Sequence, residues 1–372
     1  MFDWGPGEAA FRAGVGQMKY LVTKISMTMG LGDGILSLIQ ALAYAHITGR
    51  TLHVDWRGGW YGMPLEENLF DRIFDVKGVG YSSELPGAGA VVPPAWNGRL
   101  MKTLTERMEE DGFDPSPARF DRKEALRRYS ADLGAPSHAE EILITWDHYQ
   151  FEGLVPHLRE SGVIPGSCTK FEAMGHVFEK FIQLKPEPRR YLEEHWESVL
   201  AEKEESRMLG VHVRETDESF AVYGAISRKR YFSAIDRFLR RKGGPELIFL
   251  ATDNQDVQRA FHEYYGEIVR SKQKWFDEPG QPLHMGTASR SNNWANLLDA
   301  LFEMYALSRC GYLVRRRESS FSRVSEIIGL TPADRVALIS RDQTFGDFVQ
   351  RARKLPRRTL RALRKGTNGL VS

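Results

Sequence analysis

Cysteine is almost absent from this chain of 372 residues, which contains only Cys168 and Cys310. Two cysteines make no disulfide framework, and their surroundings do not resemble a zinc site, so a reducing compartment is expected. No run reaches the roughly 18 apolar residues of a membrane span. The opening stretch, "MFDWGPGEAAFRAG", has no basic region followed by an apolar core. These absences predict a cytoplasmic protein. A Walker A sequence and an Asp-x-Asp pair are also missing, which argues against a nucleotide site clamped by magnesium. No internal repeat occurs at a fixed period, and the only low-complexity stretch is at the end.

What is present is the composition of a globular protein, 42% hydrophobic and 27% charged with a net charge of +2. The length exceeds one ordinary core and suits two domains. "LKPEPR" (184–189) breaks the periodicity, because Pro186 and Pro188 can begin a helix but not continue one. The expected division is an α/β domain over 1–185, a second over 186–345 and a basic tail over 346–372. From Arg351 to Lys365 every charge is positive, with Leu355, Leu360 and Leu363 between. Such a segment can dock peripherally on the inner membrane surface, or remain a solvated tail interrupted by Pro356. It lacks stacking aromatics, so no nucleic-acid partner is expected.

In the first half, strands over 19–27 and 51–56 enclose a loop, "GLGDG", and a helix over 35–47 that Gly49 stops, a compact βαβ unit. Long loops fill 57–134 before a strand at 141–147. In the second half, helices over 188–204, 228–242, 256–265, 293–309 and 320–328 alternate with strands over 207–213, 246–253, 267–271 and 311–316. That alternation indicates a doubly wound parallel sheet. The expected architecture is α/β, two Rossmann-like domains facing each other across a cleft.

Ligands of such sheets sit at the carboxyl ends of the strands. In "MLGVHVRETDE" (208–218), a buried strand ends in His212 and Arg214, followed by Glu215, Asp217 and Glu218. Arg214 offers a planar fork suited to phosphate, and a neighbouring acid could take a proton. Two other strand ends carry Thr252, Asp253 and Asn254, and "RRRESSFSR" (315–323). There Ser319 or Ser320 begins a helix whose amides can meet an anion, with Arg323 one turn on. Asp253 and Asn254 suit a ribose or a base edge, or simply start a helix. "MGLGDG" follows a strand, with Asp55 ending the next, but its third glycine falls one residue short of a dinucleotide fingerprint. On the first domain, Trp56, Trp60, Tyr61, Trp96, Trp146, His148 and Tyr149 could stack on sugars or form core. Asp55, Arg57 and Asp147 end strands facing the same cleft.

"GLGDGILSLIQALAYAHITGRTLHVDWRGGWY" (30–61), "GVHVR" (210–214), "FLATD" (249–253) and "ESSFSR" (318–323) together resemble the α1,6-fucosyltransferases, above all their bacterial rhizobial branch. The blocks keep the family's order and spacing over most of 19–330. The resemblance implies a GT-B-like fold and an inverting transfer of fucose from GDP-fucose to a glycan hydroxyl, the 6-hydroxyl in that branch. It also implies no required metal and no cofactor besides the donor. Carried over by position, Arg214 binds the β-phosphate, His212 supports the nucleotide, and Asp253 or Asn254 meets the nucleoside. Ser319, Ser320, Phe321 and Ser322 close around the diphosphate, with Arg323, Thr252, Gly32 and Asp33 completing the donor side. Asp55, Arg57, Trp60, Trp146 and Asp147 form the expected acceptor side. Two departures stand out. Glu215 occupies the place of the animal enzymes' second arginine, a role that Arg315, Arg316 or Arg317 could take. Their catalytic glutamate falls near Val222. The base is then Glu218 or Asp217, with Glu215 and Asp147 as further candidates, although Glu215 can instead be the salt-bridge partner of Arg214. A different nucleotide sugar, or an inactive nucleotide- or glycan-binding protein, are the alternatives.

Overall fold

The computed structural model describes residues 18–26, 29–58, 61, 63–87, 89–113, 121–200, 204–215, 226–274, 276 and 293–340. The expectations for Trp60, Asp217, Glu218 and the basic tail lie outside these residues.

The first sheet collects the strands expected from the apolar runs. In chain order its half contains β1 (Tyr20–Lys24), α1 (Leu31–Thr48), β2 (Thr51–Asp55), α2 (Phe70–Ile73), β3 (Phe74–Val76) and β4 (Val91–Val92). Then come α3 (Leu104–Glu110), α4 (Arg122–Tyr129), β5 (Ile142–Thr145), α5 (Phe151–Glu160), α6 (Lys170–Phe181) and β6 (Ile182–Leu184). The sheet is parallel in the order β2-β1-β5-β4, while β3 and β6 make a separate antiparallel pair. Gly49 ends α1 in the left-handed conformation (φ 65°), open to glycine without a Cβ penalty.

The second half runs α7 (Pro186–Leu200), β7 (Met208–Val213), α8 (Arg228–Leu239), β8 (Leu247–Thr252), α9 (Gln255–Tyr265), β9 (Val269–Arg270), α10 (Asn293–Arg309), β10 (Tyr312–Arg316), α11 (Ser320–Ile328) and β11 (Val336–Ile339). Its sheet is parallel in the order β11-β10-β7-β8-β9. Strand period decides what faces what. Leu209, Val211 and Val213 join one core with Ile235 of α8 and Phe261 of α9, so the alternate residues Gly210 and His212 face α10 and α11.

One departure bears on the site. "GLGDG" is not a loop but the first turn of α1, with Gly30 as its N-cap. The reason is tertiary: Gly32 packs so closely on the Ser320–Phe321 peptide of α11 that a Cβ would stand 2.5 Å from Phe321 N. Helices α1 and α6 of the first half pack against α11 of the second. One hydrophobic core accordingly runs from Leu21, Leu38 and Phe178 to Phe249, Leu301 and Ile327. No helix among the described residues is long and apolar enough to cross a membrane.

Candidate active site

The carboxyl edge of the second sheet brings together His212 of β7, its register partner Arg315 of β10, and Thr252 of β8, which pairs with the next residue, Val213. His212 is buried, and its Nδ1 lies 2.9 Å from Ser322 Oγ and 3.5 Å from Ser319 Oγ. Its ring packs on Phe321, centroids 5.1 Å apart. Burial, reinforced by Arg214, Lys274, Arg315 and Arg316, pushes its pKa down to about 3. The imidazole is neutral at physiological pH and can accept from one hydroxyl while its other nitrogen donates. Ser319 is the N-cap residue of α11, yet its hydroxyl does not cap the helix. The first-turn amides are therefore left without that side-chain acceptor, as an anion site requires.

Arg214 follows β7 with about a quarter of its side chain exposed, its Nε 3.8 Å from Asp253 Oδ2. The other Asp253 oxygen accepts from the Glu215 N–H at 3.0 Å, so this acid sets the turn that presents the guanidinium. Burial raises the Asp253 carboxyl above its ordinary value, against the pull of Arg214. Glu215 is a salt-bridge partner, but of Arg228, at 3.0 Å, rather than of Arg214. Arg315, a candidate substitute for the second arginine, is buried against Glu326, and Arg316 is buried with Glu318 3.5 Å away. Asn254 Oδ1 accepts from the amides of Asp256 and Val257, which makes it the cap of α9. Thr252 Oγ1 accepts from the Asn254 N–H.

Lys274 and Glu303, which nothing in the sequence singled out, and Tyr61, named there as a ring that could stack on a sugar or form core, also meet here. Lys274, after β9, holds both oxygens of Glu303 on α10 at 2.6 and 2.7 Å. Burial raises the Glu303 carboxyl while Lys274 opposes it. Tyr61 crosses from the first domain; it is buried in a left-handed conformation (φ 53°), and its phenol faces the charges of Arg214 and Glu303. The signal for Tyr61 was its place at the end of the first resembling block. Lys274 and Glu303 gave none, because their pairing spans 29 positions.

On the first domain, Lys24 and Asp55 are register partners at the ends of β1 and β2 and form a buried ion pair. Arg57 adds bonds of 2.7 and 2.9 Å to the two Asp55 oxygens. Burial alone would raise the Asp55 carboxyl, but Lys24 and Arg57 outweigh it and hold it at about 2. Asp55 is thus committed within the domain. So is Asp147, which accepts from Ser130 Oγ at 2.7 Å and the Tyr149 N–H at 3.1 Å. Trp146 is 1% exposed and Trp56 and Trp96 are fully buried, so these rings pack the core and present no face to a sugar. Gly32 and Asp33 serve the junction between domains: Ser320 Oγ donates to Asp33 Oδ2 at 3.0 Å. Arg323 donates through Nη2 to the Arg317 carbonyl at 3.0 Å.

The whole arrangement is α/β and GT-B-like, its two parallel sheets matching two Rossmann-like halves, a fold it shares with solved fucosyltransferases. The structure of fucosyltransferase NodZ from Bradyrhizobium is 21% identical with a TM-score of 0.56, covering 84% of this chain and 93% of that one. A mutant of Arabidopsis thaliana FUT1 in complex with GDP is 18% identical with a TM-score of 0.53, covering 89% and 72%. In sequence, nodulation protein Z of Bradyrhizobium diazoefficiens is 24% identical over 319 residues, 80% of this chain and 76% of the relative. No family model matches. The resemblance to the bacterial α1,6-fucosyltransferases carried by the four sequence blocks is therefore borne out over most of the chain. NodZ has itself been seen soaked with GDP-fucose and co-crystallised with GDP.

Proposed function

We propose that the protein is a GDP-fucose-dependent fucosyltransferase that moves fucose, with inversion and without a required metal, to a glycan hydroxyl, the 6-hydroxyl being the first to test. The observation that carries this reading is the meeting of Arg214, neutral His212 and the uncapped first turn of α11 at one strand edge, on a fold shared with NodZ. Departure of GDP leaves charge on the β-phosphate. A guanidinium and helix-end amides fixed beforehand by Asp253 and by His212–Ser322 can stabilise it without reorganising. Asp217 and Glu218 remain the proposed bases, since Glu215 is engaged by Arg228 and Asp147 by Ser130.

The test is fucose transfer from GDP-fucose to chito-oligosaccharides and other glycans, followed by product linkage analysis. Arg214→Ala is expected to lower kcat on the order of 10²–10³-fold, as for one charge-stabilising donor. An unchanged kcat would refute the assigned role. GDP binding without turnover on any acceptor would favour an inactive binding protein.

A further inference from the structure

The cleft holds a second cluster that the donor chemistry does not use. His148 follows Asp147 beyond the end of β5; it is 8% exposed, and its Nδ1 has no hydrogen-bond partner among the described residues. The same holds for buried Nε and Nη2 of Arg122, at the start of α4, and for Nε of Arg323 on α11. The Arg122 guanidinium lies 4.8 Å from the Tyr149 ring, which in turn packs at a tilt on His148, centroids 4.5 Å apart. The charged groups facing His148 are Asp33 from α1, Arg122 from α4, Arg323 from α11 and Lys170 from α6. Burial is the largest influence and keeps the imidazole neutral, with a pKa of about 4. Of the charges that weigh most on His148, three are cations and one is a carboxylate, which already accepts from Ser320. Buried donors without acceptors are costly unless a ligand fills them.

This cluster and the one around His212 use different residues of α11. On the first turn of α11, Ser319 and Ser322 bond His212, whereas Ser320, about 100° round from Ser319, bonds Asp33, and Arg323, about 100° round from Ser322, adds its charge to the surroundings of His148. The charges that weigh most on His212 are a different set: Arg214, Lys274, Arg315 and Arg316. One helix end thus carries two clusters on neighbouring faces.

We propose that the second pocket receives an anionic substituent of the acceptor glycan. The group is a carboxylate, sulfate or phosphate, held by the forks of Arg122 and Arg323, with an N–H of His148 and with Lys170 beside it. The acceptor role rests on the transferase reading; the anion preference does not.

The experiment titrates matched neutral, uronic-acid-containing, sulfated and phosphorylated oligosaccharides onto the full chain, with and without GDP, by calorimetry. At least one acidic glycan is expected to bind on the order of 10- to 100-fold more tightly than its neutral counterpart. Arg122→Gln and His148→Asn should each remove most of that ratio, and the anion that binds best identifies its source. Retained melting temperature in the variants controls for folding. Equal binding of neutral and acidic glycans, or a preference that survives both substitutions, overturns the proposal. An acidic preference that disappears in both variants, in a protein that never consumes GDP-fucose, would sustain the pocket and retire the transferase reading instead.

Discussion

Replacing Gly32 by alanine tests whether the contact between α1 and α11 sets the geometry of the proposed donor site around His212. The added Cβ would lie 2.5 Å from Phe321 N and from Ser320 C, and 2.7 Å from Phe321 Cα, all backbone atoms that cannot rotate away. Comfortable carbon contacts begin at roughly 3.5 Å, so the first turn of α11 must retreat by about 1 Å. Overpacking of this kind costs about 1–3 kcal/mol, and the better helix propensity of alanine returns at most about 1 kcal/mol. Stability should therefore fall only modestly. The functional loss should be larger, because Ser319 and Ser322 position His212 from that turn, and a shift of about 1 Å can cost on the order of 10²-fold in rate. Gly30→Ala is the matched control, since a Cβ there meets nothing within 4 Å among the described residues. The assay pairs GDP-fucose turnover with GDP binding and a melting curve. If Gly32→Ala and Gly30→Ala behave alike in kcat/KM and GDP affinity, the contact does not set the pocket.

Two further outcomes follow from the buried charges. His212 and His148 have folded pKa values near 3 and 4, below the roughly 6.5 of an unfolded histidine. The unfolded chain then binds more protons on acidification, so stability is full above about pH 6.5 and is lost as pH falls toward those values. At pH 5.5 each histidine should cost on the order of 1 kcal/mol relative to pH 7, seen as a lower melting temperature, with His148→Asn removing about half of their joint effect. A melting temperature equally high at pH 5.5 would contradict their burial. Asp55→Asn leaves Lys24 buried without its carboxylate and should cost about 3–5 kcal/mol in urea denaturation. A loss under about 1 kcal/mol would show that the pair does not brace the strand ends.

The parts of the fold that were legible in sequence are those in which local and global demands agree. Apolar runs such as "GVHV" and "FLAT" became β7 and β8, and the serine cluster at 319–322 did begin a helix. Helices α5 and α6 and strand β11 were not foreseen. The helical start at Leu31 was hidden because Gly32 answers to α11, nearly 290 positions away. Trp146 shows the same limit: a ring at a strand end reads as open to a ligand, and only packing shows that it is covered. At the site, His212, Arg214 and Asp253 were found from strand ends, whereas Lys274 and Glu303 depend on a pairing no local pattern announces.

The continuous core beneath the cleft limits how this protein can be recombined. Leu38, Phe178, Phe249 and Ile327 belong to one apolar body although they come from both sides of the sequence boundary near residue 185. Cutting there would strip α1, α6 and α11 of partners and expose their apolar faces in both fragments. Chimeras with relatives that exchange donor or acceptor halves should fold only when these three helices travel together, so substrate specificity is better transplanted by grafting the long loops between β2 and β5.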